Sequence, residues 1–119
     1  MGLTFAEGQA LGPSGQEETV NFLVDSGAGY TLLPFNVWRS LELEPTREEK
    51  FILADGTVVT RNLSRCYLRL PLGEEYTPVI LGEEGDDQGL LGAVTLEEIR
   101  LVLNPFSRTL HPMRLLWRS

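Results

Sequence analysis

Apolar and polar positions alternate along most of this chain, in runs of strand length that turn residues cut short. The first run covers residues 3 to 9 and ends before Gly12-Pro13-Ser14-Gly15. The next is Glu18-Thr19-Val20-Asn21-Phe22-Leu23-Val24, so the two predict a hairpin. Asp55-Gly56 stands between Phe51-Ile52-Leu53 and Thr57-Val58-Val59-Thr60. That is the strongest short-range hairpin signal, because both residues tolerate the left-handed backbone a two-residue turn requires. Its second arm extends toward Pro71. A further strand is predicted at Tyr76-Thr77-Pro78-Val79-Ile80-Leu81. Pro78 places it at a sheet edge or a strand start, since proline has no N–H for the ladder. Near the end, Leu101-Val102-Leu103 and Arg108-Thr109-Leu110-His111 flank another turn, Asn104-Pro105-Phe106-Ser107.

A helical period occurs twice. Pro34 fits a first helical position, followed by Val37, Trp38 and Leu41 at three- and four-residue spacing. Thr95-Leu96-Glu97-Glu98-Ile99-Arg100 predicts a second helix, with Thr95 as N-cap, Glu98 as its capping-box partner and the glutamates at the positive end. The predicted fold class is mainly β, with a closed or strongly curled sheet and one or two short helices. No repeat or linker divides the chain, so residues 1–119 read as a single domain.

Composition narrows the function more than the fold. At 119 residues, 42% hydrophobic and 23% charged, the chain can bury roughly two-thirds of its surface without metal or disulfide staples. Lys and Arg number 10 against 17 Asp and Glu, a net charge of −7, and the basic residues are scattered. Nucleic acid is therefore not an expected partner, because phosphate binding needs a basic face. The lone Cys66 excludes an internal disulfide and any cysteine metal cluster. Within the alternation Arg65-Cys66-Tyr67-Leu68-Arg69-Leu70 it reads as a small strand residue rather than a nucleophile. The only imidazole, His111, lies in a different segment and is assigned no role. The N-terminus has neither the basic start nor the apolar run of a signal peptide, and no stretch approaches about 18 apolar residues, so a soluble cytoplasmic protein is expected, with no membrane partner.

The candidate chemistry lies in Phe22-Leu23-Val24-Asp25-Ser26-Gly27-Ala28-Gly29-Tyr30-Thr31-Leu32-Leu33-Pro34. An apolar strand delivers Asp25 onto a tight Ser-Gly turn, and a second apolar piece leaves it. A carboxylate there sits at the rim of a core with turn N–H groups in front, an environment that tunes its proton affinity. Gly27 leaves room for another backbone to approach, and the Ser26 hydroxyl can bond across to a neighbouring segment. Taken alone, Asp-Ser-Gly reads as an Asx turn capped by its own side chain. Its surroundings reverse that preference.

In those surroundings the sequence resembles the retropepsin-like aspartic proteases, small viral enzymes with cellular and bacterial relatives. Three elements carry the resemblance, in the family's order and spacing. The first is the apolar strand into Asp25-Ser26-Gly27-Ala28, with Thr31 four residues after Gly27. The second is the Ala54-Asp55-Gly56 hairpin, where the family places its flap. The third is Gly89-Leu90-Leu91-Gly92, ahead of a short helix and the terminal hairpin at Leu101 to His111. Together they span nearly the whole chain and imply a retropepsin-like β-barrel. The resemblance implies that Asp25 is the catalytic carboxylate, that Ser26 joins a hydrogen-bond network between subunits, and that Gly27 and Ala28 support the site and contact substrate backbone. Ala54, Asp55 and Gly56 would form the flap, although the turn is all that the residues themselves support. Leu90, Leu91 and Gly92 carry no catalytic atoms and would pack behind the aspartate. Ser26 stands where threonine is commonest in the family. Gly29 and Tyr30 stand where viral members carry substrate-binding acids, which leaves side-chain preference open.

The implied reaction needs two carboxylates sharing one proton, one drawing a proton from water and the other hydrogen-bonding the scissile carbonyl. Two such groups about 3 Å apart do not both ionise. This chain has one Asp-[Ser/Thr]-Gly, and Asp55, Asp86 and Asp87 lie in a hairpin turn and a glycine-flanked acidic loop. The second carboxylate is therefore expected from a second copy, in a two-fold homodimer whose active site each chain supplies by half. No cofactor or metal is expected. Glu83-Glu84-Gly85-Asp86-Asp87 lacks the alternation of a calcium loop and reads as a solvated acidic loop, and no ligand cluster suits a metallohydrolase. Trp38 and Trp117 read as packing or interface residues. The expected function is an aspartic endopeptidase acting on extended polypeptides. The alternative is a catalytically inactive peptide-binding or dimerisation module on the same fold.

Overall fold

The first two apolar runs pair with each other, as their turn residues predict. In the computed structural model, which describes residues 2–113, β1 (Phe5–Leu11) lies antiparallel to β2 (Glu17–Val24), in register from Phe5 opposite Leu23 to Leu11 opposite Glu17. Trp117 lies outside the described residues. The chain continues through β3 (Thr31–Leu33), α1 (Phe35–Ser40), β4 (Arg47–Ile52), β5 (Val58–Leu70) and β6 (Gly73–Leu81). It ends with β7 (Leu90–Leu91), α2 (Ala93–Ile99), β8 (Leu101–Asn104) and β9 (Thr109–Pro112). The fold is mainly β with two short helices.

One sheet runs in the order β1-β2-β7-β3-β6-β5-β4 and curls until β5 also pairs with β1, at Gln9 to Leu11 opposite Arg69 to Tyr67. The strands from β1 to β5 thus close a ring, and β4 hangs outside as an edge. β8 and β9 form a separate two-stranded sheet. The alternation has its physical outcome here: Val20, Phe22 and Val24 of β2 are buried while Asn21 is exposed. They meet Leu33, Leu68, Leu70, Val79, Leu81 and Leu91 in one core, which α2 closes with Leu96 and Ile99. Burial of each such side chain contributes about 1.5–3 kcal/mol. Trp38 of α1 is a packing residue: its indole N–H donates to the Gly82 carbonyl at 2.8 Å, and its ring meets Phe35 edge-on.

Four expectations need correction. β6 is an interior strand, so Pro78 does not mark a sheet edge. Pro78 lies opposite Arg65 of β5, and β3 joins β6 only from Val79 onward, so the strand has a single paired neighbour where the N–H is missing. Pro34 occupies the N-cap of α1, one position before the helix. Arg100 leaves α2 in a left-handed conformation rather than extending it. Thr95 is not an N-cap and makes no capping box with Glu98. That place belongs to Gly92, and Thr95 sits inside α2, fully buried.

What Thr95 does instead is join a buried hydroxyl cluster. Thr31 donates to Thr95 Oγ1 at 2.6 Å, Thr77 lies 3.0 Å from the same oxygen, and the Gly92 N–H donates to Thr31 Oγ1 at 3.0 Å. Three elements, β3, β6 and α2, are tied by these bonds within the core. Among the described residues no buried side-chain nitrogen or oxygen lacks a partner. Cys66 lies in β5 with 0% exposure, and burial pushes its thiol up to about 11. No helix among the described residues is long and apolar enough to cross a membrane.

Thr95→Val keeps the shape but strands the Thr31 and Thr77 hydroxyls, and it should lower unfolding stability by about 1–3 kcal/mol. Denaturant unfolding measures it, and an unchanged midpoint would remove the cluster from the forces holding α2. The Cys66 thiol should react with iodoacetamide at pH 8 far more slowly in native protein than in urea.

Candidate active site

Asp25 follows the last residue of β2, and the chain returns as β3 six residues later. These two strands do not pair with each other. The two residues of β7 lie between them, parallel to β2 at Leu23–Leu90 and Val24–Leu91 and antiparallel to β3 at Leu32–Leu90. The Asp25 N–H donates to the Leu91 carbonyl at 2.9 Å, and the Leu23 N–H donates to Gly89 at 2.8 Å. Backbone carbonyls of Gly89 and Leu91 thus hold the strand that leads into the aspartate.

The turn itself is an Asx turn. The Gly27 N–H donates to Asp25 Oδ1 at 3.1 Å, and the Ala28 N–H donates to the Asp25 carbonyl at 3.0 Å. Asp25, Ser26 and Gly27 are exposed, so the carboxylate faces outward rather than into the core. One carboxylate oxygen thus caps the turn, and the side chain as a whole stays open to solvent. Ser26 lies beside a groove lined by Ala93, Leu96, Val102 and Pro105, between α2 and the terminal hairpin.

Gly92 is decisive for a reason invisible in its lack of side chain. A helix start leaves N–H groups without intrahelical partners. Those of Ala93 and Val94 donate to the carbonyls of Ala28 and Gly29 at 2.8 and 2.9 Å. The aspartate turn therefore caps α2, which is why Thr95 is free to be buried. That arrangement demands contact at Gly92, where a Cβ would lie 2.5 Å from the carbonyl carbon and oxygen of Tyr30 and 2.8 Å from Gly29 O.

Ala54, Asp55 and Gly56 form the exposed tip of the β4–β5 hairpin. Gly56 takes a positive φ of 87°, and the Thr57 N–H donates to Asp55 Oδ1 at 2.9 Å. The Thr57 hydrogen bonds hold the Asp55 carboxyl below its usual range. The hydrogen bonds of this tip close its own turn. The hairpin meets the Asp25 turn instead through Tyr30, whose ring packs edge-on against Phe51 of β4.

Thr31, Thr77, Thr95 and the Tyr30 contacts were not singled out as site groups by sequence reasoning. The available signal was Thr31 and Thr77 at inward positions of otherwise apolar strands, where a hydroxyl needs a partner. In the acidic loop, the Glu83 N–H donates to the Asp86 carboxylate at 2.7 Å. Among the described residues no group of three or more His, Cys, Asp or Glu could hold a metal ion. His111 bonds its neighbour Thr109 at 2.8 Å.

A family described as aspartyl protease matches residues 12–95. Among solved structures, the simian foamy virus (mac) protease is 14% identical, with a TM-score of 0.58 over 79% of this chain and 92% of that one. The prototype foamy virus protease–reverse transcriptase is 15% identical, with a TM-score of 0.56 over 96% of this chain and 12% of that one. A retropepsin-like aspartic protease from Rickettsia conorii is 18% identical over 82% of each chain, with a TM-score of 0.48. No curated protein matches. At these identities the structural likeness is one of fold.

Gly92→Ala should cost about 1–3 kcal/mol, since only backbone atoms can yield to the new methyl. It should also speed amide exchange at Ala93 and Val94, measured by NMR. Wild-type exchange at both would mean that the turn does not depend on this approach.

Proposed function

Because the chain belongs to the aspartyl protease family and has a mainly β, retropepsin-like fold, we propose that it is an aspartic endopeptidase completed by a second copy of itself. Residues 1–119 act as one protease domain that supplies half of the active site. The observation that carries this reading is Asp25, a carboxylate exposed in the single chain at the end of an apolar strand, on a turn braced by β7 and α2. A lone exposed carboxylate is a poor catalyst of peptide hydrolysis, whereas two brought together by a two-fold axis share one proton and divide the work.

In the proposed reaction the ionised Asp25 of one copy takes a proton from water as its oxygen attacks the scissile carbonyl. The protonated Asp25 of the other copy hydrogen-bonds the carbonyl oxygen as it gains charge. The Asx turn supports this role, because the Gly27 N–H orients the carboxylate while the brace behind it fixes the backbone. Ser26 joins the subunits across the axis. Gly27 and Ala28 receive the backbone of an extended polypeptide, and the tip at Ala54, Asp55 and Gly56 closes over it and excludes water. The backbone of Leu90, Leu91 and Gly92 holds the aspartate in place. This chemistry requires neither metal nor cofactor.

Asp25→Asn should fold and dimerise while cleaving unfolded protein at least about 100-fold more slowly, and it should lose inhibition by a statine-type transition-state mimic. Cleavage at the wild-type rate by a pure preparation would overturn the assignment. Wild-type activity should extend from acid to neutral pH and vanish as the dyad loses its remaining proton, the state in which neither carboxyl can donate to the carbonyl. Sedimentation should find active protein as a dimer, and a catalytically competent monomer would refute the shared site. Specific peptide binding with no cleavage at any pH would replace the enzyme with the binding module.

A further inference from the structure

Among the described residues β4 is the outermost strand, paired on one side only, to β5 from Arg47–Leu63 to Ile52–Val58. A two-stranded ribbon is marginal in isolation and opens easily. Left to itself it would give the tip at 53–57 no fixed position relative to the Asp25 turn. Tyr30 supplies a tie. Its ring meets Phe51 at 6.1 Å and 89°, an edge-to-face pair. Its hydroxyl donates to Glu49 Oε1 at 3.4 Å and accepts from Arg47 at 3.4 Å, and Arg47 and Glu49 are themselves paired at 2.7 Å.

The anchoring end of this tie is rigid. The carbonyl of Tyr30 lies against Gly92, and the next residue, Thr31, is bonded to both Gly92 and Thr95. The other end grips β4 at Phe51, two residues before the tip begins. We propose that Tyr30 is a positioning residue that latches the β4–β5 hairpin to the Asp25 turn, so that hairpin and carboxylate keep a common frame. The ring pair carries most of the latch, because the hydroxyl bonds are long and the ion pair is solvent-facing. An aromatic pair of this kind biases such an equilibrium by roughly 2- to 10-fold. The kinetic part of this inference rests on the peptidase reading, and the structural part stands without it.

The test compares Tyr30→Leu with Tyr30→Phe in the full chain. Tyr30→Leu should raise amide exchange over residues 51–58 by about 2- to 10-fold, while the Leu33 and Leu91 amides stay at wild-type rates. Tyr30→Phe, which keeps the ring, should restore wild-type exchange. Adding Phe51→Leu to Tyr30→Leu should add no further exchange, because both changes break one contact. Equal exchange in Tyr30→Leu and wild type would overturn the latch, and so would a rise spread evenly over the core. With a peptide substrate, Tyr30→Leu should raise KM by a similar factor and leave kcat within about 2-fold, since a loose hairpin impairs capture before chemistry. A fall in kcat at constant KM would place Tyr30 with the aspartate rather than the hairpin. If wild-type protein cleaves nothing, the peptidase reading fails while the exchange data still decide the latch.

Discussion

The 2.9 Å hydrogen bond from the Asp25 amide to the Leu91 carbonyl joins residues far apart in sequence, and the geometry around Asp25 follows from it. It belongs to a strand of only two residues, wedged between the strand that enters the aspartate turn and the strand that leaves it. With β7 in place, β2 and β3 are held apart and the turn must bridge the gap. α2 begins two residues after Leu91, so its unpartnered amides arrive beneath the turn's carbonyls. Turn and helix then satisfy each other's backbone, and neither arrangement is complete alone. Such a long-range closure is paid for in chain entropy and recovered only when the whole ring has formed.

The threonine cluster gives this wedge a direction. Apolar packing alone would let α2 slide or rotate against β3 and β6 at modest cost, whereas hydroxyls at 2.6 and 3.0 Å admit few arrangements. Every member is satisfied, so the polar atoms do not penalise the core in the way an orphaned group would. The exposed carboxylate is the counterpart. Burying Asp25 within the chain would require a compensating partner there, and the exposed turn avoids that cost.

Much of this was readable in the chain, and the misses share a cause. The β1–β2 and β4–β5 hairpins followed from alternation and turn chemistry because both signals are local. The short strands β3 and β7 did not, since two or three residues carry no period and their pairing is set by segments about 60 residues away. Thr95 shows the same limit more sharply. Its spacing to Glu98 fits a capping box, yet the helix had a better cap in the carbonyls of Ala28 and Gly29, a group no local pattern reveals. Pro78 failed for a related reason, as a strand can be interior to a sheet and still lack a neighbour at one residue. For the candidate site, sequence reasoning singled out Asp25 and the Leu90-Leu91-Gly92 segment separately, and the structure places them side by side, joined through backbone with Gly92 required for closeness.

The open strand β4 bears on the chain's behaviour in a crowded solution. An edge unpaired among the described residues offers a ladder of N–H and C=O groups on which another chain can add, and this one leads to the exposed apolar residues Ile52, Leu53 and Val58. Along that edge, however, stand Arg47, Glu48, Glu49 and Lys50. A strand adding there would have to crowd or desolvate those charges at nearly every residue, at each step of growth. The hairpin therefore carries an exposed apolar tip on a charged flank that resists the indefinite stacking that leads to fibres.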